Sequence, residues 1–191
     1  MIEEIQVLGA GTILPLPGYG CSGYVVRSGG RPILMDCGSG TLDRLAAAAV
    51  PVESIDLVLI THFHPDHVAD LGPIILSRWL RNLGGSHELT LVGPVGLSAY
   101  LQWLTVQAHP WIDDYRLNIV ELGEELPEYR WPGGEDSAGA LTVRARRTVH
   151  TDSSICYRLT DDEGTVLFYS GDTDYDETLT SIMKDADLAV V

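Results

Sequence analysis

The chain has 191 residues, 45% of them apolar and 20% charged, which is enough for one domain with a real core. A formal net charge of −15 repels a polyanion at long range and argues against a broad nucleic-acid-binding surface. No apolar run reaches the ~18–20 residues of a bilayer span, and the opening "MIEEIQVLGAG" carries two acids where a secretory signal carries bases.

In chain order, "EIQVLGAG" reads as a strand entering a Gly/Pro loop, "GAGTILPLPGYGCSG". "YVVRSGGRPILMDCG" gives two strands around a Ser-Gly-Gly turn. "SGTLDRLAAAAV" has apolar residues three and four apart and good helix formers, so it predicts a helix. "IDLVLIT" is a short, β-branched, buried strand. "VADLGPIILSRWLRNLGG" predicts a helix interrupted near Pro73 and ended by Gly84-Gly85. "ELTLVG" is a strand and "GLSAYLQWLTVQ" a helix. "YRLNIVEL", "LTVRARRTV", "SSICYRLT" and "GTVLFYS" are four further strands, with "RWPGGEDSAGA" (130–140) a loop between strands. "DETLTSIMKDA" is a helix, and "DLAVV" a final buried strand. Strands first and then strands alternating with helices predict two packed sheets with helices outside, within one domain spanning 1–191. Cys21, Cys37 and Cys156 are odd in number and scattered, with no CxxC pair. They fit free structural thiols in a reducing cytoplasm.

The strand "IDLVLI" delivers "THFHPDH", residues 61–67, which holds His62, His64, Asp66 and His67, three of the six histidines in the chain. Residues i and i+2 of an extended chain project to the same side, so His62 and His64 can reach one point, while Phe63 points to the core. Pro65 biases His64 toward extended backbone, and the following turn brings Asp66 and His67 to a neighbouring point. Imidazoles and a carboxylate suit zinc and similar divalent ions. His150 ends a strand, and Asp172 follows a buried strand and a glycine; alone, each would read as a surface or turn residue. Asp174 reads as a turn or capping residue, and His87 and His109 as surface. Arg144, Arg146 and Arg147 read either as exposed strand arginines or as a phosphate-facing edge.

"VLGAGT", "ILMDCGSGT", "ITHFHPDHVADLGP", "LVGPVG", "TVHTDSSICYRL" and "YSGDTDYDETL" occur in order over nearly the whole chain. Together they resemble the metallo-β-lactamase superfamily, whose signature is HxHxDH, and within it the branch of ribonuclease Z and related phosphodiesterases. The resemblance implies an αββα four-layer sandwich with two divalent metal ions, zinc first and manganese or iron as alternatives, at one edge of the sheets. It places His62, His64 and His150 on the first metal, Asp66 and His67 on the second, and Asp172 between them. Asp36 of "MDCG" matches an aspartate that supports the site without binding metal. Thr61 and Asp36 are candidates to hold the second nitrogens of the histidines.

Two departures from the pattern shape the expectation. The superfamily places a further histidine after the bridging aspartate, and none follows Asp172, so the C-terminal part of the fold is expected to be missing from this chain. True ribonuclease Z enzymes carry a long tRNA-gripping arm between the positions matching His150 and Asp172, and residues 151–171 leave no room for one. The expected activity is hydrolysis by a metal-bound hydroxide oriented by Asp66, on a small phosphodiester, by a cytoplasmic enzyme without a membrane partner and with homodimerisation left open. Thioester, lactam or lactone hydrolysis is the alternative, as is a non-catalytic metal-binding module.

Overall fold

The computed structural model describes residues 1–81, 88–104, 106, 116–124, 127–133 and 139–191. Its first sheet runs in simple chain order: β1 (Ile2–Gly9), β2 (Gly23–Ser28), β3 (Arg31–Met35), β4 (Leu57–Leu59), β5 (Leu89–Pro94) and β6 (Leu117–Leu122). β1 to β3 are antiparallel, and β3 to β6 are parallel. The switch to parallel pairing follows from the connections. Strands joined by a tight Gly29-Gly30 turn can pair antiparallel, whereas parallel neighbours need a crossover. The crossovers here carry α1 (Thr41–Ala47) after β3, α2 (Pro65–Val68) and α3 (Leu71–Arg81) after β4, and α4 (Leu97–Trp103) after β5.

The second sheet has the order β11-β10-β9-β8-β7, from β7 (Glu128–Trp131), β8 (Leu141–Arg147), β9 (Ile155–Asp161), β10 (Val166–Tyr169) and β11 (Leu188–Val190). β7 to β10 form an antiparallel meander; β11 joins parallel to β10 after a 3-10 turn and α5 (Thr180–Met183).

Strand alternation sorts side chains into layers. On β3, Leu34 faces the helices while Ile33 and Met35 face the second sheet; on β4, Val58 faces the helices while Leu57 and Leu59 face the second sheet. Leu45, Leu71, Ile74 and Leu101 cover the first face. Trp131, Val143, Tyr157 and Leu167 fill the space between sheets. Phe168 and Cys156 turn outward onto Leu179 and Ile182, giving a thinner outer helical layer. The result is the expected αββα sandwich, each buried Leu or Ile contributing about 1.5–3 kcal/mol to its stability.

Three details differ from the sequence reading. Pro73 does not interrupt a helix: it sits in the first turn of α3, where N–H groups lack intrahelical partners anyway, and the break falls at residues 69–70. β7 is an additional strand, paired to β8 through residues 128–131. β11 is exposed, with Leu188 49% accessible, because the outer side of this edge strand carries no neighbour among the described residues. The Gly84-Gly85 helix stop, His87, His109 and residues 134–138 of the 130–140 loop lie outside the described residues. No helix among the described residues is long and apolar enough to cross a membrane.

Candidate metal centre

β4 is short and fully buried, and its chain direction carries Ile60-Thr61-His62 to the edge where the two sheets meet. The second sheet clasps this exit. The Ile155 N–H donates to the Thr61 carbonyl at 3.0 Å, and the Tyr157 hydroxyl donates to the Ile60 carbonyl at 2.5 Å. His64 keeps extended backbone (φ −66°, ψ 144°) ahead of Pro65, which starts α2, so Asp66 and His67 swing round within one turn.

Two glycines are required by close approach. A Cβ on Gly38 would lie 1.9 Å from the Asp66 carbonyl, and Gly171 has φ 55° with its would-be Cβ 2.8 Å from Thr61. The first lets the segment after β3 lock onto the HxHxDH turn, through Cys37 N to the His67 carbonyl at 2.7 Å and Asp70 N to the Cys37 carbonyl at 2.9 Å. The second lets Asp172 leave β10 directly beside Thr61.

The structure brings four of the expected ligands to one point. A nitrogen from each of His62, His64 and His150 and an oxygen from Asp172 all lie within 4.8 Å of one another. The His62 ring centroid is 4.7 Å from that of His64 and 4.8 Å from that of His150, both edge-on. His150 Nε2 and His64 Nδ1 face each other at 3.0 Å. Two nitrogens on one tetrahedral zinc, at ~2.0–2.1 Å each, would stand about 3.3 Å apart, so the spacing is that of a ligand pair. His67 is placed alongside, with Nε2 3.1 Å from Asp172 Oδ1, while His150 Nε2 is 3.5 Å from Asp172 Oδ2. Asp66 is buried and turned toward the Gly/Pro loop, where the Ile13 N–H donates to its Oδ2 at 3.1 Å.

Beneath these donors lies Asp36, fully buried, at φ 53°. Its Oδ1 accepts from Thr61 N at 2.8 Å; its Oδ2 accepts from Thr61 Oγ1 at 2.8 Å, His67 Nδ1 at 2.7 Å and the Tyr169 hydroxyl at 2.6 Å. Hydrogen counting then fixes both tautomers. Thr61 spends its single hydroxyl hydrogen on Asp36, so its oxygen must accept from His62 Nδ1, 3.1 Å away. His62 Nε2 is thereby left with a lone pair, and that atom is buried without a hydrogen-bond partner. His67 likewise donates from Nδ1 and sets Nε2 3.1 Å from Asp172 Oδ1. A buried, unpartnered imidazole lone pair on His62, beside the facing nitrogens of His64 and His150 and a carboxylate, calls for a cation, so the donor set fits a divalent metal ion.

The two buried histidines are shifted in opposite senses. Burial, reinforced by the neighbouring His67, pushes His62 down to about 4, so it stays neutral and able to ligate. Burial also opposes charging His67, but the hydrogen bond and charge of Asp36, with Asp172, outweigh it and raise its pKa.

The arginines are divided. Strand alternation puts Arg144 and Arg146 on the outer face of β8, where Arg144 pairs with Glu128 and Arg146 donates to Ser181. Neither is brought to the histidines. Arg147, also exposed, lines a cavity with Glu121, Asp152 and Ser153, on the flank of the loop that carries His150. Asp174 serves as a turn residue, its Oδ1 accepting from Tyr175 N. Cys37 and Cys156 are buried free thiols whose pKa burial pushes up, Cys156 to about 11, consistent with structural roles. Sequence reasoning missed Tyr169 and Ser22. Their signal would have been a polar atom at the end of an apolar strand, for Tyr169, and just ahead of one, for Ser22.

A double-sheet sandwich with an HxHxDH turn at one sheet edge, met by a histidine and an aspartate from the other sheet, places the chain in the metallo-β-lactamase superfamily, to which it belongs: the superfamily model matches residues 16–187. Its relatives include the probable metallo-hydrolase YhfI of Bacillus subtilis, 31% identical over 98% of this chain and 70% of that one. A ribonuclease Z of Mycobacterium bovis is also 31% identical, over 98% of this chain and 69% of that one. Among solved structures, the fold matches human tRNase Z, short form, with a TM-score of 0.78 at 24% identity, covering 97% of this chain and 75% of that one. The chain is accordingly a metallo-β-lactamase superfamily hydrolase.

Proposed function

We propose that the protein is a metal-dependent phosphodiesterase acting on small substrates. The observation that carries the reading is the convergence of His62, His64, His150 and Asp172 on one point, with His62 Nε2 buried and unpartnered. In this reading His62, His64 and His150 would hold one metal ion, Asp66 and His67 would help hold a second, and Asp172 would contribute to both. Zinc is the first choice for such a set of imidazoles and carboxylates, with manganese or iron as alternatives. When bound, a pair of divalent ions lowers the pKa of a shared water and draws charge from the attacked phosphorus.

The chain's own residues supply the rest. Thr61 and Asp36 hold His62 and His67 in the tautomers that ligate. Asp66, with one oxygen anchored by Ile13 N, would take part in holding the metal and in orienting the attacking water. Arg147 remains the candidate among the three arginines for a substrate phosphate, since Arg144 and Arg146 are engaged on the outer face.

Two findings favour a small diester over precursor tRNA. Residues 151–171 are taken up by β9, β10 and their turns, with no arm, and the net charge is −15. The test is specific activity on bis(p-nitrophenyl) phosphate against precursor tRNA, a thioester and a lactam, with added zinc or manganese. Diester turnover with poor tRNA cleavage is expected. Efficient and accurate tRNA 3′ cleavage would overturn the small-substrate reading; thioester or lactam turnover without diesterase activity would move the protein to that chemistry.

A further inference from the structure

The four donors on Asp36 do not all come from the same sheet. Thr61 and His67 belong to the segment after β4, but Tyr169 ends β10 in the opposite sheet and reaches across to Asp36 Oδ2 at 2.6 Å. Tyr169 is 3% exposed, its ring set edge-on to Tyr24 at 5.3 Å. Since its hydroxyl hydrogen goes to Asp36, the Ser22 hydroxyl, 3.0 Å away, must donate to the tyrosine oxygen. The order of donation is therefore Ser22 to Tyr169 to Asp36, with Asp36 in turn gripping Thr61 and His67.

We propose that Tyr169 is a positioning residue of the metal centre, which fixes His67 through the Asp36 carboxylate and Asp172 through the three-residue strand exit that begins at its own backbone. The terminal torsion of an aspartate is soft and roughly two-fold. Thr61 grips both carboxylate oxygens and His67 shares Oδ2, but all three of these donors belong to the segment after β4 and can shift with it. The tyrosine hydroxyl is the donor that ties Oδ2 to the other sheet. The same residue then leads through Ser170 and the positive-φ Gly171 to Asp172, whose carboxylate faces His67 Nε2 at 3.1 Å. One residue thus links, by its hydroxyl and by its backbone, the two groups, His67 and Asp172, that would hold an ion together. Groups that orient metal ligands in this way typically govern metal affinity by 10- to 100-fold. The inference rests on the reading of the cluster as a metal site.

The experiment measures Zn²⁺ affinity by chelator competition, and the visible absorption of bound Co²⁺, for wild type, Tyr169→Phe and Ser22→Ala, with the folded fraction followed by circular dichroism. Tyr169→Phe should bind Zn²⁺ ~10- to 100-fold more weakly and shift the Co²⁺ bands, with Ser22→Ala moving both in the same direction by less. Adding Tyr169→Phe to Asp36→Asn should produce little further loss, because the tyrosine acts through that carboxylate. Affinity within twofold of wild type and an unchanged Co²⁺ spectrum in folded Tyr169→Phe would reduce the residue to a structural bond and overturn the proposal. Should Tyr169→Phe not fold, an unshifted Ser22→Ala overturns it. Wild-type protein that binds no Zn²⁺ would instead bring down the metal reading itself.

Discussion

Replacing Asp36 by alanine should be among the most damaging single changes in this chain, and the structure sets the scale. Four donors lose their acceptor, but not equally. Tyr169 can turn its hydrogen to Ser22 at 3.0 Å and His67 Nδ1 keeps Thr61 Oγ1 at 3.5 Å, whereas Thr61 N and the Thr61 hydroxyl hydrogen, whose oxygen already accepts from His62, are stranded in a site with no solvent access to Asp36. Each stranded donor costs about 1–3 kcal/mol. Alanine at φ 53° adds about 1–2 kcal/mol, since it lacks the short polar side chain that lets aspartate tolerate the left-handed region. The expected loss is thus about 3–8 kcal/mol, centred near 5 and comparable with the whole stability of many domains. Asp36→Asn keeps the backbone preference and one acceptor oxygen but points an amide N–H at a donor, so it should lose about 1–3 kcal/mol. Urea unfolding of metal-free protein measures both. A loss below about 1 kcal/mol for the alanine variant, or a larger loss for asparagine than for alanine, would refute the hydrogen-bond accounting.

His64→Ala is the converse case. His64 is exposed, so metal-free stability should change by less than about 0.5 kcal/mol while elemental analysis shows most of the bound metal gone; unchanged metal content would defeat its role as a ligand. In metal-free protein His62, held near 4 against 6.5 for an ordinary histidine, takes a proton in the unfolded chain before it does in the folded one. Stability should therefore fall by up to about 3 kcal/mol as pH drops from 6.5 to 4. His67, raised by Asp36, works in the opposite sense, adding stability below 6.5 that is lost as pH rises through its folded value. Unfolding midpoints of His62→Gln across this range should show a shallower acid fall than wild type, and an equal slope would show that His62 is not the group responsible.

Much of this arrangement was legible in advance because it depends on local pattern. "IDLVLI" is apolar on both faces, which marks a strand buried between layers, and the i, i+2 spacing of His62 and His64 requires only extended backbone to converge. Asp172 and His150 were legible through motif order, since their strands are regular enough to deliver them to a sheet edge. What escaped was either marginal in propensity or long-range. "EYRW" is a four-residue strand whose only support is its pairing with β8. Pro73 reads as a breaker unless the first turn of the helix is known to start at Leu71. That Arg144 and Arg146 turn outward follows from the register of β8, which the sequence "RARR" alone does not reveal. The bond from Tyr169 to Asp36 spans 133 residues, and no periodicity in the sequence encodes it.

The separation in sequence between the facing nitrogens of His64 and His150, 86 positions at 3.0 Å, has a thermodynamic corollary. Folding alone brings the two nitrogens together, so an ion shared by them would bind the folded chain and not the unfolded one, adding about 2.7 kcal/mol of stability at a free concentration 100-fold above its dissociation constant. The three cysteines are free thiols, so the chain has no covalent cross-link of its own. Held by His64 beside the first sheet and His150 beside the second, such an ion would also staple the two halves of the sandwich.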